Sequence, residues 1–221
     1  HYAFSSWSGC DTESGNTCTV TMSDAKSVTA SFVSTATYSK IGTSGKALTD
    51  QNVAYDAAGS ELDSDKWDCV LDNNTSLMWE VKTDDDGLRD KDWRYTWYDS
   101  NDPVGTPSGG ACFDGFQGTN CDTEKFVDQV NIGGICGYNN WRMPTKDELA
   151  GLLTCAYPNC TGGGPYIDQG YFPNTQNSRY WSSSAYANNA DGAWSVNFDN
   201  GRVYSSFKAS DGHVRLVRGG Q

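Results

Sequence analysis

The sequence predicts an α+β domain, stapled by disulfides and built of antiparallel sheets with two short helices, plus a small β segment in front of it. Three observations carry this. Helical apolar spacing occurs in two short stretches, near residues 123–132 and 145–153. Period-two alternation between strong turn signals dominates the C-terminal third. Eight cysteines, several in close pairs, stand in a chain of 221 residues.

Taken in order, residues 1–34 read as three short strands. "FSSWSGC" opens the segment, Thr17–Met22 alternates, Ser23–Lys26 turns, and Ser27–Phe32 alternates again, so the last two are expected to pair as a hairpin. Cys10 and Cys18 would clamp the loop before it. Residues 35–66 are small and polar and read as a connector. The main domain is expected over residues 67–221. "WDCVLDNNTSLMWEVKT" gives two strands around an Asn-rich turn at Asp72–Thr75. Residues 84–121 look irregular, with aromatics at Trp93, Tyr95, Trp97 and Tyr98.

Phe126, Val127 and Val130 mark the first helix, ended by Gly133-Gly134. The second follows in "NNWRMPTKDELAGLL". Thr145 and Glu148 stand three apart, as an N-cap and its reciprocal partner should. Leu149, Leu152 and Leu153 then form one apolar face, and Pro144 lies just outside the cap. Residues 154–179 read as loop. Beyond it Trp194, Val196 and Phe198 share one strand face, with Ser195 and Asn197 on the other. Asp199-Asn200-Gly201 turns the chain, Arg202–Lys208 returns, and His213–Arg218 closes the sheet.

Bulk properties narrow the function. A net charge of −12 and a pI near 4.4 oppose nucleic acid and anionic membranes as partners, and more weakly sulfated polysaccharides. No apolar run approaches the roughly 18 residues of a membrane span, so no membrane insertion is expected. No C-x-x-C occurs, and His1 and His213 are the two histidines, which favours disulfides over zinc. Closing Cys10/Cys18, Cys112/Cys121 and Cys155/Cys160 leaves Cys69 and Cys136 as a long-range staple, one of many pairings eight cysteines allow. With His1 first and no signal peptide, the chain reads as a processed or truncated secreted product, extracellular or on the outer cell surface.

Six blocks then carry a resemblance: "CVLDNNTSLMWEVK", "GLRDKDWRYTWYD", "CGYNNWRMPTKDELAGLL", "YFPNTQNSRYWSSSAYA", "AWSVNFDNGRV" and "HVRLVRGG". In that order they resemble the C-terminal domain of Legionella collagen-like adhesins, over roughly Trp67–Gln221. The resemblance implies a C-type-lectin-like fold of the formylglycine-generating-enzyme subtype, and an extracellular binding or adhesion role. On it, Trp141 and the helix after Thr145 are framework, while Arg142 either pairs with a carboxylate or carbonyls or is solvated. The N-terminal "FSSWSGC" and "VTASF" resemble the second half of a divergent internalin-type B-repeat, a small β module of bacterial surface proteins.

Three constellations invite chemistry. "TDDDGLRDKD" offers Asp84, Asp86 and Asp90 as calcium ligands, supported by the structural calcium common in domains of the implied fold; the EF-hand pattern is unmet, and a solvated acidic loop explains the same run. Tyr186, Asn188, Asn189, Asp191, Asn197 and Tyr204 mix rings with amides and hydroxyls and form the candidate ligand-binding face, for glycan or protein. Their alternative is turn formation for the Asn residues, and for Trp181 and Trp194 a place in the core. Catalysis has weaker credentials. The implied fold subtype hosts oxidation at paired cysteines, but every Cys here can find a structural partner; Ser182–Ser184 and His213 lack a G-x-S-x-G turn. No catalytic residue is expected. The expected function is a secreted, non-enzymatic binding or adhesion module. The alternative is a structural subunit of an extracellular homopolymer, a filament joined through the N-terminal β segment; an oxidase or hydrolase stands last.

Overall fold

The computed structural model describes residues 2–15, 17–23, 25–34, 38–59, 65–101, 105, 112, 121–161 and 163–219. Contacts divide the chain into two compact units, His1–Thr37 and Tyr38–Gln221.

The first unit holds β1 (Tyr2–Ser8), β2 (Thr12–Ser14), β3 (Thr17–Thr19) and β4 (Thr29–Ser34). β1 pairs antiparallel with β4, setting Phe4 opposite Phe32, and β2 pairs with β3. The expected hairpin between Thr17–Met22 and Ser27–Phe32 does not form. The Cys10–Cys18 bond folds β3 back on β2 instead. Asp11 fixes that choice: its N–H donates to Thr19 O at 2.9 Å, and its carboxylate accepts from Thr21 N and pairs with Lys26, which ends β3 early.

The second unit contains β5 (Tyr38–Ile41), β6 (Cys69–Asp72), β7 (Met78–Glu80), α1 (Thr123–Gly133), α2 (Lys146–Ala150), β8 (Arg179–Ala185), β9 (Gly192–Asn197), β10 (Arg202–Phe207) and β11 (Val217–Arg218). One sheet runs β11-β7-β6-β5 and the other β10-β9-β8, all antiparallel. This is the disulfide-stapled α+β architecture that the sequence predicts. The supposed connector is the exception, because Tyr38–Ile41 is a sheet strand of the larger unit. Its signal is masked by Lys40, which points inward, donates from Nζ to Val53 O, and lies 4.3 Å over the Trp67 ring.

Both helices form where local chemistry starts them. Asp122 caps α1 by accepting from Lys125 N at 2.8 Å, and Phe126 and Val130 bury its apolar side. Thr145 and Glu148 complete a capping box on α2, which seats Leu149 in the core. The four disulfides are Cys10–Cys18, Cys69–Cys136, Cys112–Cys121 and Cys155–Cys160. Cys69–Cys136 ties β6 to the turn behind α1 across a separation of 67 residues.

β8 and β9 are covered on both faces. Tyr180, Val196 and Phe198 join the core beneath α2, whereas Trp181 and Ala193 pack with Trp97 on the other side. Ser195, on the face opposite Val196 and Phe198, is therefore fully buried as well. Residues 213–217 thread between the sheets with every side chain buried, but regular pairing is confined to β11; Glu80 N donates to Leu216 O at 2.9 Å.

Candidate functional site

A cleft gathers around the Arg142–Glu148 segment. Trp141 is gripped by α1: its N–H donates to Asn131 Oδ1 at 2.7 Å, and Asn131 Nδ2 returns a bond to Trp141 O at 2.9 Å. Arg142 exchanges two backbone bonds with Val217, and Pro144 O accepts from Ser183 N at 2.7 Å. An extended tetrapeptide is thus held between α1, β11 and β8, with Arg142 and Met143 facing a cleft of about 480 Å³. Trp97, Tyr98 and Asp99 form another wall, and α1 contributes Thr123, Glu124 and Val127. Thr145, Glu148 and Ser183 complete the lining.

Arg142 pairs with a carboxylate, which settles the alternative left by the sequence. Its guanidinium meets Glu148 through two bonds of 2.8 and 2.7 Å, and also donates to Gly219 O and Met143 O. The mutual hydrogen bonding raises the Arg142 pKa and holds Glu148 below the usual carboxylate range. Glu148 Oε2 simultaneously accepts from Thr145 N at 2.7 Å, so one carboxylate caps α2 and orients the guanidinium. Trp97 is almost fully buried; its indole N–H donates to Ser182 O, and Lys208 Nζ lies 4.2 Å from the ring centroid. Tyr98 is half-buried and is locked to α1 by reciprocal bonds with Thr123.

The candidate ligand face divides in the structure. Tyr186, Asn188, Asn189 and Asp191 share the β8–β9 loop. There Tyr186 stacks edge-on against Trp194 with centroids 5.2 Å apart, and Asn188 Nδ2 reaches the Tyr186 hydroxyl at 3.4 Å. Asn189 Oδ1 accepts from Asp191 N at 3.0 Å, which gives it the turn-forming role that was its alternative. Asn197 stands at the far end of β9, where its Oδ1 accepts from Asp199 N in the next turn, and Tyr204 lies opposite Ser195 on β10. Asn197 is therefore not brought to the loop. Strands β8 and β9 meet the start of α2: Lys146 N donates to Ser184 Oγ, and Lys146 Nζ lies 5.0 Å over the Trp194 ring, against which Tyr186 packs. Trp181 is core and Trp194 half-buried.

The calcium set is not assembled. Asp90 is buried, and its carboxylate accepts from the N–H groups of Asp85, Asp86 and Asp92 at 2.7–2.8 Å. Burial acts to raise its pKa, yet those three donors hold it below the ordinary value. Asp84 pairs with Lys91 instead. Among the described residues no three His, Cys, Asp or Glu converge as metal ligands. The acidic run is a turn organised around Asp90.

Nor do the hydroxyls near β8 meet a base. Ser182 Oγ donates to Trp194 O and Ser183 Oγ to Pro144 O. His213 is buried against Tyr180, its Nδ1 unpartnered; burial, then the charges of Lys82 and Arg94, push its pKa down to about 4. A sealed charge cluster lies nearby. Glu80, Lys82 and Arg215 are at most 1% exposed, and Lys82 Nζ meets Glu80 Oε1 at 3.1 Å.

The cleft escaped the sequence reading because no single stretch builds it. Its local signal was the Thr145–Glu148 box, read as framework, and the walls come from residues more than forty positions apart in sequence. The profile of the Lcl C-terminal domain family matches residues 68–218. The chain belongs to that family. The Lcl C-terminal domain match takes in the cleft, the β8–β9 loop and the threaded segment 213–217, and starts after β5. No curated protein matches the chain. Membership in this family of collagen-like adhesins is consistent with an adhesion-type module at the surface or outside the cell. No helix among the described residues is long and apolar enough to cross a membrane.

Proposed function

We propose that the chain is a secreted or surface-displayed, non-enzymatic module that binds glycan or protein, with the Arg142–Glu148 cleft as the ligand site. The cleft carries this reading. Its volume of about 480 Å³ falls in the range of roughly 300–1,000 Å³ usual for ligand pockets. Its walls combine the apolar groups of Tyr98, Val127 and Met143 with a few fixed polar side chains. The Ser182 and Ser183 hydroxyls bond backbone carbonyls, no cysteine is free, and His213 is buried against Tyr180. The β8–β9 loop offers a further aromatic and polar surface through Tyr186 and Asn188.

Binding to immobilised glycans and extracellular matrix proteins tests the proposal. Ser183 is exposed on the cleft wall, so Ser183→Tyr should block binding without altering the fold. Retention of full binding by that variant places the ligand elsewhere and refutes the cleft.

A second reading, a homopolymer joined through the first unit, draws on Met22 and Val28, which are 68% and 37% exposed there. Apolar side chains so open on a small unit gain from a second copy. Light scattering across concentration checks it: oligomers that vanish when residues 1–37 are removed support the polymer, and a strictly monomeric full chain rejects it.

A further inference from the structure

We propose that the cleft recognises a basic side chain, an ammonium or guanidinium on an apolar stem presented by a partner protein. The proposal rests on the binding-module reading and names its ligand chemistry. Three carboxyl groups border the cleft, Asp99, Glu124 and Glu148, against one cation, Arg142. Both terminal nitrogens of Arg142 are engaged by Glu148 and two carbonyls, so its charge is already paired and attracts an anionic ligand poorly. Asp99 and Glu124 are different. Asp99 Oδ1 accepts from Asn101 N at 2.9 Å and Glu124 Oε2 from Ser100 N at 2.6 Å. Those bonds fix both carboxylates in place, and their second oxygens have no partner among the described residues.

The apolar lining fits the stem of such a ligand. Val127 and Met143 are half-buried and offer aliphatic surface between the carboxylates, which a lysine or arginine stem covers while its charged head reaches the rim. A neutral sugar is the poorer match. Stacking a pyranose needs an open ring face, and Trp97, the tryptophan of this cleft, is 2% exposed with the Lys208 ammonium over it. The net charge of −12 adds a long-range attraction for a basic partner.

The test is an NMR titration of the full chain with three uncharged-backbone probes: the Nα-acetyl amides of lysine, arginine and norleucine. The two basic amides should shift the Val127 and Met143 methyl signals saturably. Norleucine amide, which has the stem without the charge, should bind roughly tenfold more weakly. Glu124→Gln with Asp99→Asn should remove most of that difference, since Gln and Asn keep the bonds to Ser100 N and Asn101 N while losing the charge. Added salt should weaken the basic probes alone. Equal binding of norleucine and lysine amides overturns the proposal, as does unchanged affinity in the double variant. Loss of surface binding in Ser183→Tyr, with no response to either basic probe, also overturns it and leaves the binding-module reading standing.

Discussion

Replacing Glu80 by Gln should destabilise the larger unit by about 3 kcal/mol at neutral pH. Glu80 is fully buried and does two jobs: Oε1 meets Lys82 Nζ at 3.1 Å, and Oε2 accepts from Leu216 N at 2.9 Å. Its own carbonyl also accepts from Arg215 Nη1 at 2.6 Å, while Arg215 Nη2 donates to Thr175 Oγ1. Gln keeps the Leu216 bond but leaves two buried cations beside a neutral group. Breaking one side of a buried pair costs about 3–5 kcal/mol. The lower end applies because burial already depresses the Lys82 pKa, so Lys82 can shed its proton once Glu80 no longer opposes that. For a unit of this size the loss corresponds to a Tm drop of about 6–12 °C. Urea unfolding followed by tryptophan fluorescence reads it, with an unchanged m value as control. The companion Lys82→Met should cost less in the Glu80→Gln background than alone, because the buried carboxylate it would otherwise leave unpaired is then already gone. A loss under about 1 kcal/mol, or strict additivity of the two changes, would refute the reasoning.

Three further outcomes are expected. His213 should make stability pH-dependent: its folded pKa of about 4 lies below the ordinary 6.5, so the unfolded chain alone takes up a proton between them. Stability is then full above about pH 6.5 and falls by roughly 3 kcal/mol as pH drops to about 4, and His213→Asn should flatten that part of a denaturation-versus-pH curve. All eight cysteines should resist thiol titration in denaturant without reductant. Cys69→Ser with Cys136→Ser should lose about 4 kcal/mol in urea melts, the chain-entropy value for a loop closed across 67 residues. Tyr186→Ala with Asn189→Ala should weaken ligand binding while lowering stability by about 1 kcal/mol, since Tyr186 packs edge-on against Trp194; a calorimetric binding constant equal to the parent's would remove the loop from the site.

What the sequence made legible follows the range of the interactions involved. The helices were readable because their starts are local, Thr145 with Glu148 and Asp122 with Lys125. The disulfides match the pairing that spacing suggests, three near pairs and one long one, although eight cysteines allow many others and spacing alone does not choose among them. Pairing in the first unit was not readable. Thr17–Thr19 alternates equally well against either neighbour, and the hydrogen bonds of Asp11 decide between them. β5 was hidden by an inward lysine whose cost is offset by the Val53 carbonyl and the Trp67 ring. Composition alone grouped Asn197 with the β8–β9 loop, but the length of β9 separates them. The cleft depends on Tyr98, Val127, Met143 and Ser183 meeting in space, and nothing local to any of them announces it.

The buried thread from His213 to Val217 has a consequence for how the domain comes into being. β7 lacks one neighbour until Val217 and Arg218 arrive, Trp181 N has no acceptor until His213 supplies its carbonyl, and Arg142 waits for both Val217 and Gly219. A chain emerging from its N-terminal end can close the first unit and β6–β7 early. It cannot seal the larger core, or fix the Arg142 wall of the cleft, before the residues around 213–219 are free to enter. The cleft therefore matures last, together with the core.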